Sequence, residues 1–224
     1  MPRAFSESEK DKIRQQLIEQ GYKQFSAFGL KKTNIDELAA AAGISKGAFY
    51  IFYDSKESLF MDVAEKAETF FRQEVLAVLD QPLSPPRAHL YAVFKKAFSA
   101  WKTMPILQSF SGADMGVLLR RIPEAKMREH MRADEVFMQL LIERCQAAGI
   151  PVHRSPAEIS GLIYSLLLVS LNEAALGPVV TEDSLDVLIE LVAAYCLDEI
   201  KLQATNPSGV LSGVIGEAQH VLVD

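Results

Sequence analysis

The chain has 224 residues, 49% of them hydrophobic and 23% charged, with a formal net charge of -6. That is enough apolar material for a sizeable core in one domain or two closely packed ones, and too acidic a balance for a protein that coats nucleic acid through bulk charge. The charge is uneven, however: residues 1–56 hold 9 Lys+Arg against 7 Asp+Glu, whereas residues 57–224 hold 14 against 22, a mildly basic head on an acidic body.

The first element is a helix. Ser6 and Glu9 form a capping box, and Ile13, Leu17, Phe25 and Phe28 follow on one face until Gly29 stops it. Thr33 with Asp36 reads as a second box, opening a short helix with Ile35, Leu38, Ala39 and Ala42 inside, closed by Gly43. Ser45 caps a third helix to about Tyr53, and Asp54 with Glu57 caps a fourth, long one that carries Leu59, Phe60, Val63, Ala67, Phe70 and Phe71. "QPLSPP" breaks it off at Gln81.

Helices over about Arg87–Thr103 and Glu124–Ala148 flank an irregular stretch with Pro105, Gly112, Gly116 and Pro123. Two more follow, the first opened by Ser155-Pro156 and the second by Thr181. No strand alternation or repeat interrupts the pattern, so the expected fold is all-α.

No apolar run opens the chain, and its most apolar stretch, Ile159 to Leu171, is shorter than a bilayer span. A cytoplasmic protein with no membrane partner is expected. Cys145 and Cys196 lie in apolar helical patterns and read as buried free thiols. There is no Ser/His/Asp arrangement, no glycine-rich phosphate loop, no paired carboxylates in a plausible cleft, and no metal-ligand spacing among 4 histidines. Neither an enzyme nor a cofactor is expected.

The second and third helices, joined by "AGIS", meet the minimum of a helix-turn-helix. Phe49 and Tyr53 lie four apart and face inward, leaving Lys46, Gly47, Ala48, Tyr50 and Phe52 outside. Lys46, Tyr50 and Lys56 are donors suited to phosphate, and Lys56 sits at a helix N-terminus where a bound anion would offset its unfavourable place in the helix dipole. On spacing alone, a plain helical hairpin with solvated lysines fits equally well.

The run "TNIDELAAAAGISKGAFYIFYDSKESLF" resembles the signature of the tetracycline-repressor (TetR) family of bacterial transcription regulators, over roughly residues 9–60. The resemblance implies a three-helix DNA-binding head (1–54), a long helix leading into a helical effector-binding and dimerisation body (55–202), and a tail (203–224) without counterpart. It implies double-stranded operator DNA, a small-molecule effector and a second copy of the chain as partners. Carried over by position, Thr33, Tyr50 and Lys56 would hold phosphates, with Lys46, Gly47, Ala48 and Phe52 in or beside the major groove. Phe52-Tyr53 reverses the family's usual Tyr-Phe, and Ala48 replaces its Thr or Ser.

In the body, Phe70, Phe98, Trp101, Met104, Phe110, Met115 and Phe137 are pocket candidates or plain core. His130 and Asp134, four apart, read as a surface pair in preference to ligand anchors. Arg120, Arg121, Lys126, Arg128 and Arg132 read as a solvated, ion-paired face. The last two helices carry the stripes Ile159, Leu162, Ile163, Leu166 and Leu185, Leu188, Val192; these would be core in a monomer, and by the resemblance form a four-helix dimer interface. The expectation is a dimeric transcription regulator, a repressor released from its operator by a small, largely apolar ligand. The alternative is a helical dimeric interaction module with lost or weakened DNA binding.

Overall fold

A computed structural model describes residues 5–82, 85–108, 115–171 and 181–200, apart from the side chains of Met115 and Leu171; Phe110 and the tail 203–224 lie outside them. The described residues are all-helical. In order the helices are α1 (Glu7–Lys32), α2 (Ile35–Ala41), α3 (Lys46–Phe49), α4 (Lys56–Ala77), α5 (Pro86–Thr103), α6 (Pro105–Gln108), α7 (Met115–Arg121), α8 (Glu124–Ala147), α9 (Pro156–Leu171) and α10 (Glu182–Cys196).

The Ser6–Glu9 capping box is formed, and so is a cap at Thr181 that reaches Ser184. Two caps fall one residue later than expected. Asn34, not Thr33, accepts the Asp36 N–H, and Ser55, not Asp54, accepts from Ser58 N at 3.1 Å. In α1 the backbone turns at Gly29, whose φ of 73° is left-handed and needs a residue without Cβ. That turn puts Leu30 inside and leaves Phe28 exposed, so Phe28 does not continue the inner stripe.

α4 organises the chain. Its first half, Leu59 to Ala67, closes the core of the head with Leu17, Phe25, Leu38, Phe49 and Tyr53. Ile106, Leu107, Leu118, Ile122 and Met127 join that same core, so the expected boundary at residue 54 is no gap in the packing. The second half, from Val75, belongs to a core shared with α5, α8, α9 and α10. Trp101 and Phe71 pack against both. α1 lies close on α4 at Gly21, where a Cβ would stand 2.9 Å from Val63 Cγ2 and 3.3 Å from Phe25 Cε2. An ion pair of 2.8 Å from Lys126 to Asp62 ties α8 to α4.

Candidate nucleic-acid interface and effector site

The turn between α2 and α3 is built as its sequence requires. Gly43 takes φ 72°, and Ile44 N donates back to Ala39 O at 2.9 Å. Ser45 accepts from Ala48 N at 3.2 Å, starting a helix only four residues long. It continues as a turn, with Ile51 N on Ala48 O and Phe52 N on Phe49 O. Phe49 and Tyr53 point inward, and burial beside the negative charge of Asp62 pushes the Tyr53 hydroxyl pKa up.

Lys46, Gly47, Tyr50 and Ile51 are exposed and Ala48 is half-buried, on the sides of the segment left open by the buried Phe49 and Tyr53. Ile51, at 61% exposure, was missed in the sequence. The available signal was its place three residues after Ala48 and two after the inward Phe49. Phe52 is half-buried, with its ring 5.9 Å from that of Phe5.

The donors are less free than their sequence suggests. Lys46 Nζ lies 2.8 Å from Asp36 Oδ2, and this hydrogen bond and its charge raise the lysine pKa. Lys56 Nζ donates to the carbonyls of Lys31 and Thr33, at 3.0 and 2.8 Å, capping the end of α1. Thr33 departs from its expected phosphate role: it is 3% exposed, and its hydroxyl donates to Gly29 O at 2.8 Å. Its one proton holds the turn after α1 and does not face outward.

In the body, the aromatic candidates separate. Phe98 is buried in the second core; Trp101, Met104 and Phe137 are half-buried. The Trp101 indole N–H is buried without an acceptor among the described residues. Phe70 does not join them: it is 55% exposed, because Phe71, one residue on, takes the inner position. Phe137 also lines an open groove of about 490 Å³ between α4 and α8, with Arg72, Leu76, Arg132, Val136 and Leu140.

His130 and Asp134 are not a surface pair. Asp134 accepts from Arg72 on α4 at 2.7 Å and from the Tyr164 hydroxyl on α9 at 3.3 Å. His130 is buried and turns its Nδ1 to Glu68, itself buried and 3.2 Å from Arg72. Desolvation pushes Glu68 up to about 8, aided by Asp134 and opposed by Arg72; desolvation also lowers His130. Burial thus favours the neutral form of both. Sequence reading missed this cluster because its members come from three helices. Of the basic residues near α8, Lys126 pairs with Asp62 and Arg128 with Glu124.

The last two helices present a different face from the one expected. Ile159, Leu185 and Val192 are buried within the protomer, and Leu162, Ile163 and Leu166 pack against the same core. Leu188 does point out. With it on the outer surface stand Tyr164, Leu168, Val169, Val187 and Leu191, with Leu168 51% and Val187 58% exposed. The inner stripe was the more regular apolar one, as expected for helices that need a core before they need a partner. Among the described residues no helix is long and apolar enough to cross a membrane, and no group of His, Cys, Asp and Glu is placed to hold a metal.

Residues 17–63 match the family described as bacterial regulatory proteins, tetR family. The HTH-type transcriptional regulator AcrR of Shigella flexneri is 31% identical over 64 residues, 29% of this chain and 30% of that protein. The chain thus matches its curated relatives over only 18% to 41% of their length. Among solved structures, the superantigen PfiT aligns with TM-score 0.59 at 17% identity, over 84% of this chain and 97% of that one. SmeT, repressor of the Stenotrophomonas maltophilia multidrug efflux pump SmeDEF, aligns with TM-score 0.51 at 19% identity, over 83% and 89%. At such identities the structural likeness shows the fold alone.

Proposed function

Because the chain belongs to the TetR family through its N-terminal domain, we propose that it is a cytoplasmic, dimeric, DNA-binding transcription regulator, a repressor released from its operator by a small, largely apolar ligand. One observation carries the DNA-binding part: the outward face of α3 presents Lys46, Gly47, Ala48 and Tyr50 together on a helix held rigidly by Phe49 and Tyr53. Such a face enters a major groove while flanking donors meet phosphates. The outer apolar face of α9 and α10 is the proposed interface with a second copy, which would set two heads about one or more helical turns of DNA apart.

The effector is assigned to the surroundings of Trp101, which packs against both cores where α4 joins them, with Phe98 and Phe137 on the body side and Met104 on the head side. Tilting α4 moves the head with the body. A ligand acts only by its differential affinity for the two tilts, typically ~1–3 kcal/mol of coupling. Trp101 is the only tryptophan, so titrating apolar ligands against its fluorescence, with and without operator duplex, tests the reading. Operator must weaken inducer binding by the same factor that inducer weakens operator binding. Equal affinities in both titrations for every ligand that binds would leave the body a dimerisation scaffold and not a sensor.

A second reading, a helical interaction module with weakened DNA binding, is supported by the inward-turned Thr33 hydroxyl and the internally bonded Lys56. Failure to bind any duplex at low salt would favour it.

A further inference from the structure

The outward face of α3 offers little with which to hydrogen-bond a base. The ammonium of Lys46 already sits on the Asp36 carboxylate at 2.8 Å. The Ser45 hydroxyl, which accepts from Ala48 N, stands at the helix start and makes at most a single further bond through its one proton. Gly47 and Ala48 carry no polar side chain, and the Tyr50 hydroxyl stands at the end of a long ring suited to the backbone of a duplex. Reading a base through a bidentate pair needs Arg, Lys, Asn or Gln placed centrally on the helix; none stands between Lys46 and Lys56.

What the face does offer is apolar. Ile51 is a large β-branched side chain, 61% exposed, and lies outside the core that Phe49 and Tyr53 help to fill. Ala48 lies three residues before it, on the same side of the turn. Gly47 adds room: a Cβ there would meet only Ser45 Oγ, at 3.9 Å. The backbone is bare at that point because it lacks a side chain, and not because a neighbour in the head demands it. The single apolar group that a base edge shows in the major groove is the 5-methyl of thymine.

We propose that α3 and the turn that ends it select thymine through its 5-methyl group, with Ile51 on the turn as the reading side chain and Ala48 and Gly47 of the helix shaping the approach. This rests on the DNA-binding reading above. Phosphate donors then set register, and the apolar patch sets the preferred base. Ile51 is a specificity-determining residue, and Ile51→Ala leaves the core intact because Ile51 is not part of it.

The full-length protein is used to select binding sites from a random duplex pool, and each thymine of the enriched half-site is then replaced by uracil, which lacks only the methyl. The expected result is an enriched thymine in each half-site whose replacement weakens binding about fourfold, the effect of one buried methyl-sized group. Ile51→Ala should bind the thymine and uracil duplexes equally, with an unchanged dependence on salt. Uracil without effect at every position, methyl sensitivity surviving in Ile51→Ala, or a half-site without thymine would each overturn the inference and leave DNA binding standing. No enrichment, together with no retention of any duplex at low salt, would instead overturn the DNA-binding reading and this inference with it.

Discussion

Nδ1 of His130 lies 3.6 Å from Oε2 of Glu68, with both side chains buried between α4 and α8. An imidazole and a carboxyl at this distance would form an ion pair in water-accessible surroundings. Here burial outweighs attraction: Glu68 is raised to about 8 and His130 is lowered.

The sign of the pH dependence follows. Between the ordinary carboxyl value of 4.5 and about 8, the folded chain keeps a proton on Glu68 that the unfolded chain has lost, so stability falls as pH rises through that window. His130 acts oppositely: the unfolded chain takes a proton below about 6.5 that the folded chain resists, and stability falls as pH drops below it. From pH 6.5 to 8 only the Glu68 slope remains from this pair. Urea unfolding of Glu68→Gln should therefore lose that slope and gain stability at pH 8, by order of magnitude a few kcal/mol. An unchanged slope in the variant would place the titration elsewhere.

Lys56 makes two hydrogen bonds to backbone carbonyls across the junction of α1 and α4. Lys56→Ala should lower stability without DNA by about 1 kcal/mol, the usual net worth of hydrogen bonds whose acceptors water can still reach. If the ammonium also meets a phosphate in the complex, the slope of log K against log salt flattens by about one unit per half-site. A variant of full stability with a flattened slope would make Lys56 a phosphate contact alone.

Leu168 and Leu185 separate the two faces of the last helices. Leu168→Asp places a charge on the outer surface and should give a folded monomer in sedimentation, since a dimer would have to bury that charge unpaired at a cost of several kcal/mol by order of magnitude. Leu185→Asp puts the charge into the protomer's own core and should prevent folding. A Leu168→Asp protein that remains a dimer would move the interface off this face.

At Gly21 the packing of head on α4 has no room for a methyl. Gly21→Ala should cost ~1–3 kcal/mol in thermal or urea unfolding despite alanine's better helix propensity. Adding Val63→Ala should recover part of the loss, because it removes the Cγ2 that the new Cβ meets. A stabilised Gly21→Ala would mean that α1 shifts freely on α4.

Elements whose signals are local were legible in the sequence. The Ser6–Glu9 box, Gly43 at φ 72° and the four-residue spacing of Phe49 and Tyr53 each act within one turn, and each lies where periodicity placed it. The exposure of Lys46, Gly47 and Tyr50 follows from those; Phe52, expected outside, packs half-buried against the head's core, and Ile51 stands exposed in its place. What sequence did not reveal depends on which neighbour packs where. Thr33 turns inward because Asn34 takes the cap, and Phe70 yields the inner position to Phe71. The Glu68, Arg72, His130, Asp134 and Tyr164 cluster needs three helices brought together, and a 3.6-residue period in one helix carries no such information. The outer face of α9 and α10 was hidden by a more regular inner stripe.

A regulator of this kind must bind DNA by sequence through its head. The most direct test of this is the affinity of the full-length protein for a selected duplex and for a scrambled duplex of the same composition, each measured over a range of salt. A sequence-reading head should prefer the selected duplex by roughly a thousandfold or more at physiological salt, with log K falling steeply against log salt for both duplexes as phosphate contacts release counterions. Equal affinity for the two duplexes, or no binding to either at low salt, would contradict it.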